Sequence, residues 1–209
     1  MADYDAIVIG SGSGGLTAAV ALANAGRRVA VFEQHYLPGG YSQSFQLNGF
    51  RFSPGIHYIG QLGPGQRLRR IYEGLGVADD LIFFEINPAG YDHVVVGGER
   101  FSIPKGADRF RARLKDRFPA ERVGIDGYFD LVTRLADELA WARPPRSVAE
   151  AALLPWRMRT TLLHGMTPLA RTFDRFTRDP LLRAILAIQA GDHGMAPSRA
   201  PTALHAGLQ

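Results

Sequence analysis

The chain has no cysteine, which excludes disulfide scaffolds, thiolate metal sites and cysteine nucleophiles and fits a reducing compartment. Lysine is almost absent: of the 24 basic residues only Lys105 and Lys115 are lysines, leaving 22 arginines. The formal charge is only +4, and no long run of unmixed basic residues occurs, so nucleic acid is not indicated as a partner. No stretch approaches the roughly 18 uninterrupted apolar residues of a membrane-spanning helix. Contact with an anionic membrane surface from one side is left open. The start, Met1-Ala2-Asp3-Tyr4-Asp5, is acidic where a secretory signal is basic, so the expectation is a folded element acting in the cytoplasm or on a membrane face. No His-x-x-His or carboxylate cluster has ligand spacing, and no metal is expected.

What is present is ordinary globular material: 209 residues, 46% apolar and 21% charged, enough for one large domain or two small ones. The first forty residues carry most of the information. Ala6-Ile7-Val8-Ile9 reads as a strand covered on both faces in a parallel sheet. Gly10-Ser11-Gly12-Ser13-Gly14-Gly15 follows, then a helix over Leu16–Ala25 closed by Gly26, then a second strand over Arg28–Glu33. This is a β-α-β unit of the length a Rossmann-like motif requires. Gly10 permits the tight turn, Gly12 lets a pyrophosphate approach the backbone, and Gly15 lets helix and strand pack closely. Unpaired amides and the helix dipole face the anion. Glu33 stands 23 positions after Gly10, placed to accept from a ribose diol and to repel a 2′-phosphate. FAD and NAD both satisfy such a turn.

Leu37-Pro38-Gly39-Gly40-Tyr41-Ser42 resembles the second glycine doublet of the flavoenzyme superfamily that includes amine oxidases and phytoene desaturases. With Glu33-Gln34-His35-Tyr36 and Gly49-Phe50-Arg51-Phe52-Ser53-Pro54-Gly55-Ile56-His57-Tyr58, it is similar to the group of phytoene desaturases, carotenoid isomerases and retinol saturases. Phe118-Pro119-Ala120-Glu121, Ile125-Asp126-Gly127-Tyr128 and Gly191-Asp192-His193-Gly194-Met195 resemble the retinol saturase-like branch. The resemblance implies FAD as cofactor and an α/β fold: a Rossmann-like FAD-binding region with inserted strands over 1–106, and a mainly helical substrate- or membrane-facing region over 107–209. It implies the cofactor-binding set Gly10, Gly12, Gly14, Gly15, Glu33, Gln34, Gly39, Gly40, Ser42, Gly55 and His57. It implies oxidoreduction at carbon–carbon double bonds of a lipophilic polyene, a carotenoid or retinoid. Two departures stand out. Tyr41 occupies the place where many relatives carry Arg, and the Gly-Asp segment that lies along the flavin near the C-terminus of family members has no counterpart here. The chain therefore reads as an N-terminal portion of the family fold, lacking the C-terminal half. The alternatives are a non-catalytic dinucleotide-binding or membrane-associated module and an NAD-dependent oxidoreductase.

Beyond the motif, Leu81–Ile86, Asp92–Val96 and Arg100–Ile103 read as strands, the last two a hairpin across Gly97-Gly98. Ala107–Phe118 reads as a helix with a solvated basic surface, and Ile125–Leu139 as an amphipathic helix that Pro144-Pro145 ends. Prolines 155, 168 and 180 are expected to cut the remainder into short pieces whose Arg and apolar residues suit either a substrate cavity, an anionic bilayer or ordinary packing. Residues from Ser198 onward read as the start of a helix with no stop signal. His57 faces flavin or substrate on one reading and packs structurally on the other. His193 takes no assigned role, and no catalytic group is named, because flavin chemistry asks the protein mainly for orientation and water exclusion.

Overall fold

The computed structural model describes residues 3–53, 58–140, 142 and 144–208. The chain divides into two units, Met1–Phe84 and Glu85–Gln209. Gly55 and His57 lie outside the described residues.

In the first unit, β1 (Ala6–Ile9) pairs in parallel with β2 (Val29–Phe32) in the register Ala6–Val29 to Ile9–Phe32, and α1 (Ser13–Asn24) is the crossover between them. Only one face of β1 is covered: Ala6 and Val8 are partly buried, while Ile7 and Ile9 are 64% and 88% exposed. The run of four apolar residues had suggested cover on both faces. Among the described residues α1 is the one helix packed on this sheet, so the alternate face stays open. Gly26, with φ +76°, follows α1 in the expected capping place. A second hairpin, β3 (Phe45–Leu47) and β4 (Phe50–Phe52), turns on Asn48 and Gly49, both with positive φ. That Asn-Gly pair between aromatic positions is a hairpin signal in its own right. α2 (Arg67–Gly74) completes the unit and is anchored when Asn24 Nδ2 donates to the Leu75 carbonyl at 2.8 Å. Leu81–Ile86 pairs with no strand. Its β-type composition had predicted a strand, but a strand exists only where an edge is available to bond it.

The second unit forms around α4 (Arg122–Ala140), whose Ile125, Tyr128, Phe129, Val132 and Leu135 recur at three- and four-residue steps and are all buried. Against it lie β5 (Asp92–Val96) and β6 (Glu99–Ile103), joined through Gly97-Gly98 as expected, with Val94, Phe101 and Ile103 in the core. The sequence reading grouped this hairpin with the nucleotide-binding region; its buried face belongs to the helical core. α3 (Ala107–Arg117) adds Leu114, α7 (Leu169–Phe176) adds Leu169 and Phe173, and α8 (Pro180–Leu186) adds Leu182, Ile185 and Leu186. α5 (Val148–Arg157) starts on Ser147, whose hydroxyl accepts from the Glu150 amide. Pro155 does not cut α5. It sits in the last turn, where few downstream residues depend on continued helix. α6 (Arg159–His164) follows, and α9 (Thr202–Ala206) is the last helix among the described residues.

The basic stripe of α3 is solvated only in part: Arg109 and Arg117 are exposed, while Arg111, Arg113 and Lys115 are half-buried. Arg111 pairs with Asp126 and Asp130 of α4, Lys115 pairs with Asp126, Arg117 pairs with Glu99, and Arg113 donates to the carbonyls of Ala89 and Ser102. These cations join α3 to α4 and to the hairpin. Helical spacing reveals which face is apolar but not where acids of other elements fall.

His205, fully buried on α9, donates from Nε2 to the Leu186 carbonyl at 2.9 Å. Burial, opposed by that bond, pushes its imidazole down to about 4. A histidine that stays neutral in the folded state takes up its proton first in the unfolded chain. Stability is therefore full above about pH 6.5 and falls as pH drops from there toward 4, at up to about 1.4 kcal/mol per pH unit. Denaturant melts between pH 7 and 4 should show this slope and His205→Gln should flatten it; equal slopes in both proteins would refute the assignment.

Candidate functional site

The glycine turn joins the end of β1 to the start of α1. Gly10 takes φ +93° and its amide donates to the Phe32 carbonyl at 2.7 Å, tying the turn to β2. Gly15 is required by close approach: a Cβ there would lie 2.0 Å from the Gly10 carbonyl oxygen. A Cβ on Gly12 or on Gly14 would meet nothing within 4 Å, so the backbone of Gly12 borders open space. α1 begins at Gly12 with no side-chain cap and no acid in its first turn. The first-turn amides of a helix have no partner within it, and here they lie beside the open positions over Gly12 and Gly14.

The second glycine segment comes to the same place. Gly12 and Gly39 form a parallel bridge, the Gly39 amide donates to the Ser11 carbonyl and hydroxyl at 3.1 Å each, and a Cβ on Gly40 would stand 3.0 Å from Gly12 Cα. Gly40–Ser42 is a single turn of 3-10 helix, and Ser42 Oγ lies 3.2 Å from Ser13 Oγ. Of the expected set, Gly10, Gly12, Gly14, Gly15, Glu33, Gly39, Gly40 and Ser42 are gathered by these contacts, with Gln34 exposed next to Glu33.

Glu33, just beyond β2, is held more tightly than its spacing suggested. Ser11 donates to Oε2 from both its amide, at 2.7 Å, and its hydroxyl, at 2.6 Å, while the His35 amide donates to Oε1 at 2.9 Å. These bonds, the Ser11 hydroxyl first among them, hold the carboxyl down at about 2. A carboxylate offers about four lone-pair directions, and donors from Ser11, His35 and, with the least effect, the Gln34 amide act on this one. Ser11 is 2% exposed and touches three segments at once: its own turn, Glu33 and Gly39. The sequence assigns Ser11 no role; the one signal it offers is a hydroxyl between Gly10 and Gly12.

Elsewhere, His193 has both ring nitrogens buried without a hydrogen-bond partner among the described residues, edge-on to His205 at 5.8 Å. Among the described residues no group of three His, Asp or Glu side chains is placed to hold a metal, and no helix is long and apolar enough to cross a membrane.

Residues 8–75 match the NAD(P)-binding Rossmann-like domain model. The chain is 32% identical to the all-trans-retinol 13,14-reductase of Danio rerio over 97% of its own length and 35% of that protein's. The Rattus norvegicus protein of the same name is also 32% identical, over 97% and 35%. A prolycopene isomerase of an Oncidium hybrid cultivar, named as chloroplastic, is 33% identical over 66% of this chain and 23% of that one. The chain belongs to the retinol saturase and carotenoid isomerase family. It spans about a third of the length of these curated members. Among solved structures, putrescine oxidase bound to putrescine superposes with a TM-score of 0.58 at 24% identity, covering 98% of this chain and 41% of that one, which shows the shared fold. The family's α/β, Rossmann-like architecture expected from the glycine turn is thus present, and it implies a nucleotide-type cofactor.

Two outcomes check this geometry. Gly15→Ala forces α1 off β1 and should cost about 1–3 kcal/mol, the scale of overpacking, whereas Gly14→Ala should be neutral or mildly stabilising in the same urea melts. In a carbon-detected NMR titration, Glu33 should reach its midpoint near pH 2, and Ser11→Ala should move that midpoint upward; an ordinary midpoint near 4.5 in the unaltered chain would overturn the clamp.

Proposed function

We propose that this chain binds FAD and forms the nucleotide-binding part of an oxidoreductase that desaturates, saturates or isomerises carbon–carbon double bonds of a lipophilic polyene. The observation that carries the reading is the convergence of two glycine segments and one ionised carboxylate at the start of α1. Open space over Gly12 suits a pyrophosphate, amides of the first turn of α1 and of Gly40 and Tyr41 are offered to it, and Glu33 accepts from a ribose hydroxyl. A 2′-phosphate there would meet the Glu33 charge, which disfavours NADP. Favouring FAD over NAD are the second glycine segment and the family, whose curated members are named for work on retinol and prolycopene. Gln34, Gly55 and His57 enter this assignment on the family resemblance alone.

A bound flavin supplies hydride acceptance and donation. The residues of this chain hold its AMP half and exclude water from the turn. Residues 107–209 are assigned to the substrate-facing side, and the exposed Leu153, Trp156, Leu162, Leu163 and Met166 of α5, α6 and the loop after them support contact with lipophilic material or an anionic bilayer. The second reading is a binding module without catalysis of its own, since among the described residues none is identified that orients a flavin ring.

Calorimetric titration tests the first reading: FAD should bind in preference to NAD, and Glu33→Ala should weaken it by roughly ten- to a hundredfold, the scale of one or two lost hydrogen bonds. Equal competition by NAD, or a silent Glu33 change, removes FAD from the proposal. Turnover separates the two readings. These 209 residues should bind FAD yet leave a retinoid or carotenoid unchanged, because reacting atoms must be held within roughly 3–3.5 Å and no residue here is identified that orients the flavin ring. Polyene turnover by this chain would discard the binding-module reading.

A further inference from the structure

We propose that the cavity lined by α4, α6 and α7 in the second unit is a binding site for a phosphate group. Its construction begins with two glycines. A Cβ on Gly124 would lie 1.9 Å from the Phe176 carbonyl oxygen, and one on Gly127 would lie 2.7 Å from Phe176 Cε1. α4 therefore has a notch of small residues into which the end of α7 settles. Arg175, with its guanidinium 5.3 Å over the Phe176 ring, is carried to the rim of a cavity of about 360 Å³. Arg134 of α4 and Arg159 of α6 line the same cavity, with Thr160 and His164.

Three exposed arginines line one cavity with a single carboxylate, Asp130, among the lining residues, and the nearby acids are engaged by other partners. Asp130, on the rim, takes Arg111 at 3.0 Å. Asp174 takes Arg178 and Arg183 at 3.1 and 2.8 Å. Glu138 accepts from the amides of Thr160 and Thr161 at 3.0 and 2.7 Å. Among the described residues no carboxylate lies within ion-pair distance of Arg134, Arg159 or Arg175; Arg134 Nε donates instead to the Asp130 backbone carbonyl at 3.0 Å. The first-turn amides of α6 are already taken by Glu138, so recognition falls to the arginine side chains.

A phosphate dianion matches this arrangement. Guanidinium forks bond phosphate oxygens in pairs. The His164 side chain, on the same lining, is placed for a remaining oxygen. The same chemistry is offered by a soluble phosphate and by the phosphomonoester headgroup of a lipid. Leu163, 62% exposed, lies on the cavity wall and Leu162, 67% exposed, follows the same helix, so a headgroup would find apolar side chains beside its charge.

The test uses the whole chain. Inorganic phosphate is titrated by calorimetry, and flotation is measured with phosphatidic acid vesicles against phosphatidylglycerol vesicles of matched surface charge. Saturable phosphate binding that falls at least tenfold in each of Arg134→Gln, Arg159→Gln and Arg175→Gln supports a site for soluble phosphate. Preference for phosphatidic acid, lost in the same variants, supports the headgroup. Arg109→Gln, on α3 and outside the cavity, should leave both unchanged. The nucleotide turn also attracts phosphate, so Gly12→Val is included and should retain the titration. Indistinguishable lipids alongside arginine-dependent phosphate binding assign the site to soluble phosphate; the proposal is overturned if neither probe binds, if binding survives the three arginine changes, or if Gly12→Val alone abolishes binding.

Discussion

Hydrogen bonding between Ser11 and Glu33 is the constraint on which the nucleotide site depends. A carboxylate at the end of a strand would otherwise sample several rotamers, and a glycine-rich turn would sample several backbone paths. Two donors from one buried residue remove both freedoms, because Ser11 holds Oε2 while its carbonyl and hydroxyl accept the Gly39 amide. The turn, the acid and the second glycine segment are thereby one object. Ionisation follows from the same bonds. The carboxyl is surrounded by N–H and O–H dipoles, which favour its charged form without any cation nearby.

The second unit is organised differently, through the allocation of arginines. Arg111, Lys115 and Arg117 of α3 hold acids of α4 and β6, and Arg183 holds Asp174 and the Thr177 carbonyl. Each of these cations serves to join elements. Against that background the arginines around the α4–α6–α7 cavity stand apart, since the acids within reach face other partners. The polar residues of the core follow the same economy of partners: Thr172 and Thr202 are 2.7 Å apart, and Thr202 donates onward to the Thr167 carbonyl.

Local patterns carried well where the physics is local. The β-α-β unit, the Gly97-Gly98 hairpin and the helices from Ala107 and toward Leu139 rest on periodicity, turn chemistry and capping, all of which act within a few residues. Errors arose where distant residues decide. Leu81–Ile86 has strand composition but no edge to bond; the α3 arginines had a basic stripe's spacing but acids of α4 opposite them. Pro155 was read as a break although the last turn of a helix asks little of it. The Asn48-Gly49 hairpin was legible and passed over because the segment was weighed for family resemblance instead of turn type.

The sequence by itself determined that a dinucleotide turn exists, where its glycines and acid stand, and to which family the pattern belongs. Those are matters of spacing, and spacing along a chain dictates which groups a strand–turn–helix presents. Only the tertiary structure decided that Gly39 and Gly40 lie against Gly12, that Ser11 governs Glu33, and that Arg134, Arg159 and Arg175 share one cavity. Contacts between residues 22 or more positions apart depend on packing of whole elements. The sites where a hydroxyl or a guanidinium finds its partner are set by that packing and not by the neighbours in sequence.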